Sequence, residues 1–495
     1  MTELARQSVT AAKWGLFSSV AKFVMQLLVN IAIARLLGPD AYGLFALATI
    51  GLLVATFLSE VGLGWSLMQR ETLDDEVIRF VFTWQCLSGL VGLLFMLLAA
   101  EAMAEFLRDP RLAEVMRWLG LCCLLNGVAA TATNLLRREM RFRELAQVQL
   151  LSYLLAYVLV GLPMAFLGHG VWSMVSAWVL QSVFGLFLSY RARPHPLRLR
   201  FRTGQAREFF DLGATVLLTN LCNWALTNAD RLILGRIAGT QAAGLYAVGY
   251  NLATVPNSLM ISALQPAFLA SGARLQDDLP RLAKGYREVQ SFIWIVLAPL
   301  FAILAVAGTE VIAVLYGPAW QSSGLVFVFL AAAMPAYLAW ALSTPVLWNT
   351  GRKRLEMLLQ LPLLVLALPA FYAAASRGSA AVAAVAGLLF LARYLVTLLP
   401  AWRALDLSAT AWAGMFLHGL LACAVVAAPG LLLAAPLQTL PAWLAGMLKA
   451  SACLIVWLLI VLVWPKMLGQ AALSLLQRFM PKGSALGRAW AKRCV

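Results

Sequence analysis

The chain has 495 residues, 62% of them hydrophobic and only 12% charged, with a mean hydropathy of +0.83 and a net charge of +16. A soluble domain carries about 25% charged residues, so a chain this apolar has no way to hide its hydrocarbon in water. A soluble enzyme is excluded, and the positive balance fits Lys and Arg held on the inner side of a bilayer rather than a nucleic-acid partner.

At about 20 apolar residues per span, the sequence predicts helices over 14–36, 42–66, 78–100, 115–135, 146–167, 171–190, 210–235, 242–270, 288–307, 320–345, 355–375, 379–400, 408–432 and 442–464. The run from Trp14 to Ile31 is longer than a signal-peptide core. It is read as a retained first helix, although Ala32-Ile33-Ala34 looks like a cleavage site. The separators are short, and none could form a domain. After Pro465 comes a basic tail. Within it Leu468, Ala471, Ala472, Leu475, Leu476 and Phe479 predict an amphipathic helix on the inner leaflet.

Lys and Arg orient this topology. With both termini in the cytoplasm of a multi-pass inner-membrane protein, about 28 fall on the inner side and 6 on the outer, as the positive-inside rule requires. Four lie inside spans: Lys22, Arg231, Arg393 and Lys449. Lys449 is read as an anchor reaching for the interface, and Glu310 as an outer-surface charge. The seven cysteines form no C-x-x-C, and the three histidines have no metal-ligand spacing. No metal and no cofactor are expected. Asp74-Asp75 and Asp277-Asp278 are read as solvated loop charge.

An internal repeat sets the domain plan. Arg35-Leu36-Leu37-Gly38-Pro39-Asp40-Ala41-Tyr42-Gly43-Leu44 is echoed by Arg236-Ile237-Ala238-Gly239-Thr240-Gln241-Ala242-Ala243-Gly244-Leu245, offset by 201. Six helices separate the copies, so the halves enter the membrane in the same sense, a parallel repeat. The expected fold is an all-α polytopic membrane protein of about 14 transmembrane helices. Residues 1–200 form one six-helix lobe, 201–405 the second, 406–465 two further helices, and 466–495 the tail.

The same offset aligns two polar stripes. Ser19, Lys22, Gln26 and Asn30 recur on one face of the first helix. Their equivalents Asn220, Asn223, Thr227 and Arg231 are polar too. Polar side chains within a span face protein or a watery cleft. Ordinary hydrogen bonding between helices explains one stripe, but two in register point to a shared cleft.

The ordered series Ala12-Lys13-Trp14, Ala34-Arg35-Leu36-Leu37-Gly38, Ser59-Glu60-Val61-Gly62-Leu63-Gly64, Asn228-Ala229-Asp230-Arg231, Gly244-Leu245-Tyr246, Gln265-Pro266-Ala267-Phe268 and Tyr316-Gly317-Pro318-Ala319-Trp320 resembles the Wzx-type oligosaccharide flippases. These belong to the multidrug/oligosaccharidyl-lipid/polysaccharide exporter superfamily, and the nearest likeness is to its colanic-acid-like branch. The motifs cover roughly the first 350 residues, and hydropathy alone covers the rest. Leu269-Ala270-Ser271-Gly272 is an insertion of about one helical turn, which predicts a longer eighth helix.

The resemblance implies two six-helix lobes around a cavity. It implies a substrate of undecaprenyl-pyrophosphate-linked oligosaccharide repeat units, moved by alternating access. Membrane lipids, a polysaccharide polymerase and chain-length machinery are the partners it implies. A pyrophosphate needs cations and hydroxyl partners in a wet path, so the candidate substrate-binding residues are Lys22, Gln26, Asn30, Asn223, Thr227, Arg231 and Arg393. Glu60, at the depth of Lys22, and Asp230 are candidates for ion coupling or for counter-ions. The competing reading is a multidrug/cation antiporter on the same fold, whose cleft should hold acids rather than these cations. A polymerase or ligase would need a large outer loop, and the sequence has none.

Overall fold

A computed structural model describes the backbone of residues 3–59, 67, 74–201, 206–275 and 278–463, with side chains described from Phe23 in the first helix and from Trp224 in the seventh. Lys22, Ser19, Asn220 and Asn223 therefore have no described side chain. Glu60 and the tail helix lie outside the described residues.

All described elements are helical. The helical run Glu3–Ser59 is broken at Gly38, with φ 75° and ψ 173°, into α1 (3–37) and α2 (39–59). That backbone region is essentially closed to residues with a Cβ, and Pro39 opens the new helix with a preset φ. Next come α3 (Asp75–Leu107), α4 (Arg111–Arg138), α5 (Phe142–Phe166) and α6 (Val171–Ala192). The long run Ala206–Arg274 is broken in the same way at Gly239, φ 83° and ψ 179°, into α7 (206–238) and α8 (240–274). Gly38 and Gly239 are repeat equivalents, so the repeat is conformational as well as textual. The eighth helix reaches Arg274, consistent with the inserted turn.

Then follow α9 (Leu279–Val306), the short α10 (Gly308–Tyr316), α11 (Ser323–Asn349), α12 (Lys353–Ala375), α13 (Ser379–Ala404), α14 (Ala409–Leu432) and α15 (Ala442–Val463). The sequence placed a loop where α10 lies. Asp74 caps α3 by accepting from the Val77 N–H at 3.1 Å, and Asp278 caps α9 through Arg281 at 3.2 Å.

Both α5 and α9 widen into π-helical segments, Leu154–Gly161 and Phe292–Leu297, each ending just before a proline, Pro163 or Pro299. Proline removes an N–H and crowds the carbonyl four residues back, and a wider turn accommodates both.

Among the described residues, eleven helical stretches are long and apolar enough to cross a membrane. One of them, Phe23–Thr56, contains the Gly38 break. The exterior supports a lipid setting. Leu454, Ile455, Leu458 and Leu459 on α15 and Leu420, Leu421 and Val425 on α14 are exposed, which water would penalise and hydrocarbon does not.

The chain divides into two compact units, Met1–Gly244 and Leu245–Val495. In the first, α3 and α4 share a buried bond donated by the Thr131 hydroxyl to the Gln85 carbonyl oxygen. Its inter-helix turns are tied by ions. Arg193 Nε donates to Glu139 at 2.6 Å, and Arg141 bonds Glu139, Glu144 and the Ala192 carbonyl. After α6 the chain runs extended along α3. There the Arg200 N–H donates to Thr83 at 2.7 Å, the Phe201 carbonyl accepts from Trp84 at 3.3 Å, and His195 is buried against Phe82 and Tyr190.

The second unit is built on a core of Ile293, Leu297, Leu338, Leu342 and Leu398 around a buried polar chain. Tyr286 hydroxyl bonds Ser343 at 2.7 Å, and Gln290 donates to Ser343 at 3.2 Å. Tyr394 hydroxyl donates to Gln290 at 3.2 Å and accepts from the indoles of Trp294 (3.1 Å) and Trp412 (3.0 Å). Polar atoms with no water to turn to are satisfied by one another.

Candidate functional site

The repeat brings its two copies into direct contact. A Cβ built on Gly43 would lie 1.8 Å from the Thr240 carbonyl oxygen, and one on Gly244 would lie 2.0 Å from the Pro39 carbonyl oxygen. Thr240 and Gly244 are the equivalents of Pro39 and Gly43 at the 201 offset. The contact is therefore reciprocal, as a two-fold axis through the first turns of α2 and α8 demands. Only glycine at both positions permits this approach.

Side chains flank the contact. Asp40 accepts from the Thr240 hydroxyl and from Arg111 (Nη1, 2.8 Å), and Arg111 also binds Asp109 at 2.7 Å. Arg236 stacks over Phe106, 5.5 Å from the ring centre. Further along, the Trp224 indole donates to the Ile50 carbonyl at 3.3 Å, and Gly235 sits against Leu47. These contacts seat the start of α8 and the described part of α7 against α2 within the first unit.

Below this contact lie the described members of the two stripes. Gln26 and Asn30 on α1 are half-buried, and Asn30 accepts a hydrogen bond from the Tyr42 hydroxyl at 3.0 Å. Thr227 and Arg231 on α7 are half-buried as well. Asp230 is buried and accepts from the Arg231 backbone N–H at 2.8 Å. Tyr42 was not singled out by the sequence. Its signal was present in its position one turn into α2, where its hydroxyl can reach back across the Gly38 break.

Arg393 lies in the second unit and is buried to 2% exposure. Its Nε donates to Gln360 at 2.8 Å, and its guanidinium lies 3.8 Å from the centre of the Trp340 ring. The aromatic face and the amide oxygen together replace lost hydration. Gln360 and Trp340 are the partners that periodicity could not supply, since both sit on other helices.

Lys449 departs from the expected interfacial anchor. It is 7% exposed and forms an ion pair with Glu310 of α10. Glu310 is likewise not a free surface charge. A lysine deep in an apolar helix and a carboxylate at the end of a neighbouring one lower each other's desolvation cost by pairing, and no snorkelling is needed.

Comparison with known proteins agrees with this architecture. Residues 32–325 match the family model described as "Polysaccharide biosynthesis protein". The lipopolysaccharide biosynthesis protein WzxC of Escherichia coli K12 is 23% identical over 324 residues, which is 64% of this chain and 65% of that protein. The succinoglycan biosynthesis transport protein ExoT of Rhizobium meliloti is 23% identical over 318 residues, 64% of each chain. The teichuronic acid biosynthesis protein TuaB of Bacillus subtilis is 22% identical over 329 residues, 65% of this chain and 67% of that one. The matched part thus spans about two thirds or slightly less of each relative.

Among solved structures, the lipid II flippase MurJ in an inward closed conformation superposes with a TM-score of 0.72 at 11% identity, covering 92% of this chain and 99% of that one. An inward-facing multidrug resistance MATE family transporter gives 0.60 at 15% identity, covering 77% and 94%. At these identities the likeness is one of fold. With its family model matched over more than half its length, the chain is a multi-pass membrane protein that belongs to the polysaccharide biosynthesis protein family.

Proposed function

We propose that the protein is a transporter, not an enzyme, and that it flips undecaprenyl-pyrophosphate-linked oligosaccharide repeat units across the cytoplasmic membrane by alternating access. The product would feed exopolysaccharide, capsule or lipopolysaccharide synthesis. The observation that carries this reading is the reciprocal Gly43–Gly244 contact between repeat equivalents. It supports a two-fold relation under which the stripe of α1 (Lys22, Gln26, Asn30) and that of α7 (Asn223, Thr227, Arg231) are equivalent walls of one polar path. The family match, and the likeness to WzxC, ExoT and the lipid II flippase MurJ, support a lipid-linked sugar as cargo.

On this reading the chain has fourteen spans, the repeat halves are 1–200 and 201–405, and both termini are cytoplasmic. Lys22 and Arg231 supply charge for the pyrophosphate, through charge-assisted contacts that are strong where water is scarce. Gln26, Asn30, Asn223 and Thr227 meet sugar hydroxyls. Asp230 and Glu60 are the acids for ion coupling or for balancing the cations. An antiporter of organic cations would place acids, not Lys22 and Arg231, along such a path.

The test is deletion of the gene followed by analysis of lipid-linked glycans. A repeat unit should accumulate on its carrier at the cytoplasmic face, and complementation with Lys22→Ala should fail at normal protein level. Absence of any accumulated lipid-linked glycan, or full rescue by Lys22→Ala, would overturn the respective part of the proposal.

A further inference from the structure

A narrow, partly open groove lies in the second unit where α9 begins and α14 follows α13. Trp402, Leu407, Trp412 and Met415 line it from one side, and Tyr286 and Gln290 from the other.

The polar ends of three lining residues are engaged inside the protein. Tyr286 bonds Ser343, Gln290 bonds Ser343, the Ala339 carbonyl and Tyr394, and the Trp412 indole donates to Tyr394. What remains toward the groove is mainly ring and methylene surface, which favours hydrocarbon over a sugar or a nucleotide.

The rim has the opposite character. Arg287 lines the groove and is exposed. Lys284 and Arg281, one and two turns earlier on α9, are exposed as well, and so is Arg403 at the end of α13. Against these four cations stand two exposed acids, Asp278, which caps α9, and Asp406. Glu288 of the same helix is buried. An apolar slot beside a cationic edge, at the end of membrane-spanning helices, matches a lipid whose chain enters the slot and whose phosphate meets the edge.

We propose that this groove binds one acyl chain of an anionic membrane phospholipid, with the headgroup phosphate held at Arg287. The site is separate from the α1 and α7 stripes and does not depend on the identity of the transported cargo. Because Trp412 and Gln290 belong both to the groove and to the Tyr394 hydrogen-bond chain, an occupying lipid braces α14 against α9 and α13.

The experiment uses the full-length protein in nanodiscs containing a trace of phosphatidylglycerol with a photoreactive diazirine on its acyl chain, or the matching phosphatidylcholine. After irradiation, labelled peptides are mapped by mass spectrometry. Labelling should concentrate on residues 402–415 and favour phosphatidylglycerol about fivefold, the worth of one cation near a lipid surface. Arg287→Ala, at an exposed position, should bring the two probes level. Met415→Trp should fill the groove and abolish labelling by both, and if that variant fails to accumulate, Arg287→Ala decides alone. Equal labelling by the two probes in the unsubstituted protein, or a preference that survives Arg287→Ala, would overturn the proposal. So would displacement of the probe by an unlabelled polyprenyl phosphate but not by phosphatidylglycerol, since the groove would then belong to the isoprenoid carrier.

Discussion

Replacing Gly244 with alanine is the sharpest test of the two-fold contact. The new Cβ would sit 2.0 Å from the Pro39 carbonyl oxygen, and ordinary contact begins at 3.4 Å, so the first turns of α2 and α8 must separate by 1.4 Å. Gly43→Ala meets the Thr240 oxygen at 1.8 Å and demands 1.6 Å. Both obstacles are backbone atoms in helices, and no flexible side chain can swing aside. Overpacking costs about 1–3 kcal/mol, and a rigid obstacle belongs at the upper end. About 3 kcal/mol shifts an equilibrium by roughly 100-fold.

The reciprocal geometry adds a condition that a single clash would not. Separation that relieves one substitution relieves the other, so the double variant should cost little more than either single one, a non-additivity expected of residues in contact. The assay is oxidative cross-linking of Asp40→Cys with Thr240→Cys, in a background in which the native cysteines are replaced by alanine, read beside the thermal midpoint in detergent. Asp40 and Thr240 are bonded in the structure, so the cross-link should form readily. It should fall sharply with Gly244→Ala, equally with Gly43→Ala, and no further with both. An undiminished cross-link with an unchanged midpoint, or fully additive losses, would refute the contact.

The Lys449–Glu310 pair predicts asymmetry between single and double changes. Lys449→Ala strands a carboxylate that is 15% exposed and should cost about 3–5 kcal/mol, whereas Lys449→Met with Glu310→Gln should recover most of the midpoint and the hydrogen-exchange protection of α15. Equal midpoints for the single and double variants would show that the pair contributes nothing. Arg393→Lys keeps the charge but loses the planar stack on Trp340 and the fixed donor to Gln360. If Arg393 is structural in this state, that variant lowers the midpoint and the protein level together. Lost export at an unchanged midpoint would instead place Arg393 on the substrate path.

Glu139 gives a pH dependence. Burial pushes its carboxyl up, but the bonds from Arg193 and then Arg141 outweigh burial and hold it below the usual carboxylate range. Its contribution is therefore complete above the unfolded value near 4.5 and is lost as the pH falls through the lower folded value. Roughly a third of each side chain is exposed, so screening limits the worth of the pair to about 1 kcal/mol or less. Arg193→Ala should lower the midpoint slightly at pH 7 and make no difference once the carboxyl is protonated. A larger effect in acid than at pH 7 would reverse the sign and refute the assignment.

What was legible in the sequence is what depends on the local chain. Apolar runs of span length announce helices whatever they pack against. Gly38 and Gly239 could be matched because a positive φ with extended ψ has almost no other tenant, and both adopt it. Pro163 and Pro299 stood in plain view, but that they follow π-helical turns depends on how the freed carbonyls are met.

Pairings across the chain were harder to see. Textual similarity at Gly43 and Gly244 gave no distance, and only the close approach turns a repeat into a contact between its copies. Gln360 became a partner of Arg393 because two helices place an amide and an indole around one guanidinium. Glu310 and Lys449, 139 residues apart, could have been joined by one physical consideration. Two opposite charges within or at the ends of apolar helices each cost more alone than together. The same consideration separates the cations now. Lys449 has a carboxylate, and Arg393 has an aromatic face and an amide in this conformation. On the proposed reading the charge for a phosphate comes from the α1 and α7 stripes, at Lys22 and Arg231, because there the repeat itself repeats polarity.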